Sequence, residues 1–148
     1  MYRKIFRDIR SFLDAHTTGN PDQLPKTEIL YGNNRRQSVY LRVTRRYFEN
    51  ENATFATVEL GNISNFDCKE SGGRQSLYLS VLRTLEEYTR YITYVENVQD
   101  PRLKQLMPRL GYTPLIINEA IHDFELASPT FYKINGPKEN LIVFRKAI

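Results

Sequence analysis

Residues 68–75 combine the side chains and the backbone freedom that suit contact with an anion. The run reads Cys-Lys-Glu-Ser-Gly-Gly-Arg-Gln, and Gly72 and Gly73 precede a segment whose apolar residues repeat at helical spacing. Two glycines let the backbone approach an anion closely. The free amides and the dipole of a helix N-terminus then favour phosphate at that point. The run therefore predicts a phosphate site, with an ordinary polar loop as the alternative interpretation.

Acid–base chemistry has two candidate residues in this chain. Glu59, within the β-rich residues 54–63, is the first candidate for a general base, and a polar residue on the alternate face of a strand is its other interpretation. His122 is the second. Asp123 lies beside it, but adjacent residues on a strand point to opposite faces, so the two are not expected to form a dyad.

Metal and disulfide chemistry are not expected. Cys68 is the single cysteine, so no internal disulfide can form. One cysteine with two well-separated histidines cannot supply a zinc cage.

Residues 91–112 are predicted to form a strand, a capped helix and a glycine stop. Residues 91–95 are typical of a strand, Asp100 is suited to cap a helix that has Pro101 at its first position, and Gly111 should end that helix before Tyr112. An apolar stripe at spacings of 3, 4 and 3 residues faces the sheet, formed by Leu103, Leu106, Met107 and Leu110.

The remaining patterns predict an α+β domain with a largely antiparallel sheet flanked by helices. Amphipathic spacing predicts helices at residues 2–16 and 75–91, and alternation around residues 39–44 predicts a strand that turns at residues 49–52 into the next one. Three further strands are expected at residues 113–118, 130–134 and 141–145, and a turn at residues 135–137 joins the last two.

The order strand, glycine run, helix, strand, capped helix and Gly-Tyr over residues 54–115 resembles the GNAT acyltransferase family. The resemblance implies that acetyl-CoA binds with its pyrophosphate at the helix that follows the glycines, and that its pantetheine arm lies where two strands splay apart. The cofactor-binding residues implied are Lys69, Ser71, Gly72, Gly73, Arg74, Gln75 and, in place of the family's usual Asn, Asp100.

The catalytic residues implied by the resemblance are Glu59 as base and Tyr112 as a stand-in for the tyrosine that often protonates the departing thiolate. That tyrosine falls at Met107 in this chain, and a thioether cannot donate a proton. Tyr94 is the other possible substitute.

Two functions follow from the resemblance. The first is an N-acetyltransferase that moves an acyl group from acetyl-CoA to an amine, on a small molecule or a protein. The second is a catalytically degenerate GNAT-like protein of bacteriophage type, serving as a binding or virion component.

The arginines of residues 42–46, with tyrosines around them, add a possible nucleic-acid contact. A solvated sheet edge, protected by its charges, is the other interpretation of this arginine cluster.

Length and composition limit the number of domains, the kind of partner and the location that can be expected. The chain of 148 residues predicts one domain, 1–148, and its formal charge of +4 permits an acidic partner without requiring one. There is no run of eighteen apolar residues and no apolar segment typical of a signal peptide, so we expect no membrane contact and a cytoplasmic protein, or one in the host cytoplasm or virion if it is of phage origin. The oligomeric state is left open.

Overall fold

Seven strands and three α-helices make up the computed structural model, which describes residues 3–32, 37–65, 71–115 and 129–144. Side chains of residues 71–76 are not part of the description. The elements, in chain order, are α1 (Arg3–Thr17), β1 (Lys26–Tyr31), β2 (Gln37–Phe48), β3 (Ala53–Asn65), α2 (Ser71–Glu86), β4 (Ile92–Val95), α3 (Pro101–Arg109), β5 (Thr113–Leu115), β6 (Thr130–Lys133) and β7 (Val143–Phe144).

All seven strands form one sheet in the order β1-β2-β3-β4-β6-β5, and β7 pairs with the start of β3. The β3–β4 pair is parallel, and every other pair of these strands is antiparallel. The predicted α+β class with a mixed, largely antiparallel sheet is therefore confirmed. No helix in the described parts of the chain is both long and apolar enough to cross a membrane.

The predicted hairpin is formed by β2 and β3. Buried and half-buried residues alternate from Gln37 to Thr44, as expected of a strand with one face against a core. The turn contains a short 3-10 helix, and Asn52 follows it with φ 48°, a left-handed conformation that Asn tolerates better than most residues.

Helix α2 forms the crossover between the parallel strands β3 and β4. It begins at Ser71 and ends at Glu86, so the prediction of residues 75–91 was wrong at both ends. Gly72 and Gly73 therefore lie in the first turn of the helix and not in a loop before it. The apolar spacing predicted a stripe of Leu77, Val81, Leu85 and Tyr88 on this helix. The first three are fully buried, whereas Tyr88 follows the helix and is half-buried.

Helix α3 has the predicted boundaries. The Asp100 side chain accepts a hydrogen bond of 2.8 Å from the backbone N–H of Arg102, and Pro101 is the first helical residue. After the helix Gly111 has φ +90°, which glycine adopts at no steric cost. Two residues of the predicted stripe, Leu103 and Met107, are buried.

The terminal strands differ from the prediction. Strand β6 ends one residue early at Lys133, and β7 begins two residues late at Val143. Residues 116–118 and 145 of the predicted strands lie outside the described residues. Strands β6 and β7 do not pair with each other across the turn at residues 135–137. Instead β6 pairs with β4 and β5, and β7 pairs with β3 at Thr54 and Phe55. The turn residues indicated that the chain reverses direction. Which strand it pairs with after the turn depends on which distant strand still has an unpaired edge, and the turn residues do not specify that strand.

Two clusters of buried side chains lie on the two faces of the sheet. The larger cluster packs α1, α2 and α3 against residues of one face, such as Val39, Val58 and Val95. The smaller one, on the alternate residues, is mainly aromatic and consists of Phe48, Phe55, Ile92, Tyr94, Tyr132 and Leu141.

Candidate functional site

Strands β3 and β4 part near the middle of the sheet. Their parallel pairing runs from Thr57 and Ile92 to Leu60 and Val95. One more hydrogen bond, 3.1 Å from the Glu96 N–H to the Leu60 carbonyl, closes the contact. Strand β3 continues to Asn65 beside β2, whereas the chain after β4 turns towards α3. The sheet therefore opens into a cleft beyond Leu60.

A β-bulge coincides with this opening. Tyr40 is paired with Asn62 and Leu41 with Leu60, so Gly61 is the extra residue of β3. A Cβ atom at Gly61 would lie 2.4 Å from Cδ1 of the Tyr40 ring, closer than any real contact. Glycine is therefore required at this position while the Tyr40 ring lies over it. Bulges bend the strand that carries the extra residue, which fits the departure of β3 from β4.

The cleft has a volume of about 530 Å³. One wall is formed by residues 60–63 of β3, and the other by residues 96–100 between β4 and α3. Tyr78 of α2 and Leu103 of α3 complete the lining. Amide, carboxylate and phenol groups alternate with apolar side chains, a combination suited to a ligand that is itself part polar and part apolar.

The predicted phosphate-binding residues fall at the N-terminal end of α2. Ser71, Gly72, Gly73, Arg74 and Gln75 form its first turns. Lys69 lies outside the described residues, and so does Cys68. Asp100, the remaining predicted contact, caps α3 and lines the cleft. The structure thus brings Asp100 to the cleft and the glycines to a helix N-terminus, while their contact with a ligand stays a prediction.

Glu59 is fully buried and its carboxylate is surrounded by donors. Oε1 accepts from Arg42 Nε at 2.9 Å and from Arg46 Nη2 at 2.9 Å, and Oε2 accepts from Arg46 Nε at 2.7 Å and from Thr57 Oγ1 at 2.7 Å. A carboxylate offers about four lone-pair sites, and these four contacts occupy them. Glu59 as a general base stays a prediction that this geometry does not favour.

Arg42 and Arg46 connect the buried carboxylate of Glu59 to the wall of the cleft. Arg42 also donates to Glu96 through Nη2, and Nη2 of Arg46 lies 3.8 Å from the same carboxylate. Glu96 is part of the cleft wall. The four side chains form one network of alternating charge, which fixes Glu96 at the end of β4.

This network also bears on the predicted nucleic-acid contact. Arg42 and Arg46 are bound within the protein, and the Arg45 guanidinium lies over the Phe144 ring at 5.1 Å from its centroid. Three of the arginines invoked for phosphate contacts are therefore engaged with other groups of the chain. Binding of nucleic acid stays a prediction.

None of the predicted proton donors lines the cleft. The Tyr112 hydroxyl donates to Glu86 Oε2 at 2.8 Å, and burial, reinforced by this hydrogen bond, raises the pKa of Tyr112. Tyr94 belongs to the aromatic cluster on the other face, where Arg46 lies 4.9 Å from its ring centroid. Met107 is fully buried in the larger core. The role of Tyr112 in catalysis stays a prediction, and its hydroxyl is already bound to a carboxylate.

Tyr78 was missed by the sequence reasoning. It is adjacent to Leu77 on the apolar stripe of α2, so its pattern indicated a core residue and nothing more. It is 8% exposed and lines the cleft. Burial, followed by the charge of Asp100, raises its pKa well above the ordinary value of a phenol. A tyrosine next to the apolar stripe, in the helix that contains the two glycines, was the signal available.

The other candidate residues do not enter the site. His122 and Asp123 lie outside the described residues. Within the described ranges no group of three or more His, Cys, Asp or Glu side chains is placed to hold a metal ion.

Comparison with known proteins gives structural likeness only. No protein-family model matches the chain, and no curated protein does. Among solved structures, it is similar to the KacTA–DNA complex, with 17% identity and a TM-score of 0.47 over 87% of this chain and 80% of the other. It is also similar to a point mutant of the toxin AtaT bound to the C-terminus of the antitoxin AtaR and acetyl-CoA, with 16% identity and a TM-score of 0.45 over 87% and 80%.

A point mutant of KacT gives 16% identity and a TM-score of 0.44 over 85% of this chain and 81% of that one. With identities this low and TM-scores below 0.5, these likenesses transfer no function to the chain.

Proposed function

We propose that this protein binds an acyl-coenzyme A in the cleft between β3 and β4, and that it transfers the acyl group to an amine acceptor. The observation that carries the proposal is the parting of the only parallel strand pair in the described sheet, which opens a cleft of about 530 Å³. A thin, part-polar ligand can enter there and meet backbone groups of β3 that no longer face β4.

The N-terminal turn of α2 supports the placement of the phosphates. The backbone of Gly72 and Gly73 lies where a helix leaves its first amides without internal partners. These amides attract an anion, and the absence of Cβ atoms lets the anion come close. The formal charge of +4 adds a modest attraction for a polyanion such as coenzyme A.

A second candidate function is binding of the coenzyme without catalysis. Two observations favour it: the position where the resembled family has a tyrosine is the buried Met107, and the carboxylate of Glu59 has all its acceptor sites occupied. Both candidates share the same cleft and the same ligand, so binding is tested first. The expected bacteriophage origin and virion location stay predictions.

The test is a thermal titration with acetyl-CoA, with coenzyme A and ATP as controls. A ligand that binds only the folded protein stabilises it by about 2.7 kcal/mol at one hundred times its dissociation constant, which for this chain length raises Tm by roughly 5–10 °C. We expect a dose-dependent rise with acetyl-CoA and coenzyme A. No rise at millimolar acetyl-CoA would overturn the proposal.

Two glycine variants test where the phosphates of the coenzyme bind. Gly72→Glu should abolish the rise, because a carboxylate in the first turn repels the pyrophosphate. Gly19→Glu makes the same change of charge at an exposed position where nothing lies within 4 Å of the new Cβ, and it should behave as wild type. A Gly72→Glu protein that still responds to acetyl-CoA would show that the phosphates bind elsewhere.

A further inference from the structure

Strand β1 lies at one end of the sheet, and its outer edge is open. Among the described strands only β2 pairs with it, and the register of the two runs from Lys26 to Tyr31 without a bulge. Residues 26–29 are all exposed, and Ile29, an apolar residue, is 48% exposed. A regular edge strand without a bulge can accept a further strand through its unpaired backbone groups.

The hydrogen-bond pattern identifies the backbone groups on this edge. The Gly32 N–H donates to the Gln37 carbonyl at 2.9 Å, and these two residues continue the register of β1 and β2. Hydrogen-bonded pairs alternate along an antiparallel ladder, so the even-numbered residues of β1 bond to β2. The odd-numbered residues Thr27 and Ile29 therefore direct their N–H and C=O groups away from β2, towards the open edge.

Two opposite charges lie side by side on this edge. Lys26 and Glu28 alternate with Thr27 and lie on the same face of the sheet as the buried Leu30, which packs in the larger core. Neither charged residue forms an ion pair with a described residue. Because the two charges are separated by one residue, an antiparallel copy of the same strand, related by a two-fold axis at Thr27, has Glu28 opposite Lys26 and Lys26 opposite Glu28.

We propose that two copies of this chain associate through β1, antiparallel and with the two-fold axis at Thr27. Each Thr27 then exchanges N–H···O=C bonds with Thr27 of the other copy. Each Lys26 lies directly opposite Glu28 of the other copy, where side chains of opposite charge stabilise a strand pair. The two sheets join into one continuous sheet. This inference goes beyond the proposed function and does not depend on it.

The residues next to the axis fit the same arrangement. Pro25 lies opposite Ile29 of the other copy, and both are exposed. The Pro25 carbonyl points outwards, because it is opposed to the Lys26 N–H across a trans peptide bond and Lys26 is paired with β2. It can accept from the Ile29 N–H of the other copy. The two apolar side chains meet on the face of the sheet that lies opposite the helices, so the exposed surface of Ile29 is covered.

The charges also exclude the neighbouring registers. An axis at Glu28 places the two Glu28 carboxylates directly opposite each other, and like charges in that position are destabilising. An axis at Ile29 places Glu28 opposite Leu30 and Lys26 opposite Gly32, so no charge is paired. The Thr27 register is the one of these three that satisfies both charges.

Sedimentation velocity of the protein without ligand, from micromolar to millimolar concentration, tests the proposal. We expect a dimer whose dissociation constant rises about tenfold in Glu28→Lys and in Lys26→Glu, because each change places like charges opposite each other twice. The double variant, Lys26→Glu with Glu28→Lys, exchanges the two charges and should restore the wild-type constant. Glu49→Lys is the matched control, since it makes the same change at an exposed residue of the β2–β3 turn and should have no effect.

A backbone variant tests the edge itself. Thr27→Pro removes an N–H that β2 does not use, and proline is tolerated in an edge strand at such a position. The monomer should keep its circular dichroism spectrum, while the dissociation constant of the dimer rises at least about a hundredfold, because both hydrogen bonds at the axis are lost. A dimer that survives this change would show that the copies meet elsewhere.

Two other results would overturn the proposal. A wild-type protein that stays monomeric up to millimolar concentration has no self-association through β1, and this is the result expected if the edge binds a strand of a different protein. A double charge exchange that remains as weak as the single variants would exclude the Thr27 register. Since no ligand is present, a failure to bind acetyl-CoA would refute the proposed function and leave this inference standing.

Discussion

Replacement of Glu59 by Gln should destabilise the protein strongly, because the carboxylate neutralises two arginines inside the sheet. Glu59 is fully buried, and the side chains of Arg42 and Arg46 are 17% and 34% exposed. Removing one partner of a buried ion pair typically costs about 3–5 kcal/mol. Here both arginines keep Glu96, and Arg46 is one-third exposed. We therefore expect the lower end of this range, about 3 kcal/mol.

Urea unfolding followed by circular dichroism measures this cost from the shift of the midpoint at an unchanged slope. A loss of about 3 kcal/mol is a large part of the 5–15 kcal/mol typical of a domain. Glu51→Gln is the matched control, since Glu51 binds Lys138 in a pair in which the lysine is 60% exposed. That change should cost less than about 1 kcal/mol, as expected of a surface pair.

The result also separates a structural carboxylate from a catalytic one. If Glu59→Gln costs less than about 1 kcal/mol and abolishes acyl transfer, our interpretation of the four contacts is refuted and Glu59 is the base. If the loss of stability is as large as expected, Arg46→Met should cost less in the Glu59→Gln background than in wild type, because the two changes remove the same interaction.

Two further predictions concern the ends of the helices that flank the cleft. Asp100→Ala should lower the free energy of unfolding by about 1 kcal/mol through loss of the helix cap, and Asp100→Asn should be close to neutral because Asn caps equally well; equal losses in urea unfolding would contradict this. Burial and the hydrogen bond to Glu86 raise the pKa of Tyr112 in the folded protein. Its contribution to the free energy of unfolding is therefore complete below about pH 10. The contribution declines at higher pH, because the tyrosine of the unfolded chain ionises first. Tyr112→Phe should therefore reduce the alkaline fall in stability, by at most about 1.4 kcal/mol per pH unit, and an unchanged slope would argue against the buried phenol.

Local chemistry made much of the fold predictable. The cap at Asp100, the glycine stop at Gly111 and the alternation along β2 each depend on a few neighbouring residues, and the structure has them as expected. The predicted start of α2 was wrong. The two glycines indicated a loop, but the helix that contains the apolar stripe begins before them, at Ser71. Tertiary packing can override the low helix propensity of glycine.

The position of the cleft could be predicted from the sequence, but the side chains that line it could not. The resemblance indicated a splay at the central strand, and β3 and β4 do part there. Two features could not be predicted from the sequence: that the buried Glu59 binds two arginines, and that Tyr78 lines the cleft. Both depend on side chains that are distant in sequence and adjacent in space, and periodicity says nothing about such neighbours.

The parting of β3 and β4 gives the sheet an edge in its interior. Proteins usually protect sheet edges at the periphery with charge or proline, because an open edge recruits strands from other chains. Here Tyr78 of α2 and Leu103 of α3 line the space beside this edge. Recognition by backbone groups does not depend on side-chain identity. The residues around such a cleft can therefore diverge widely in evolution while the capacity to hold an extended ligand is kept, and the choice of ligand is left to the few side chains that line it.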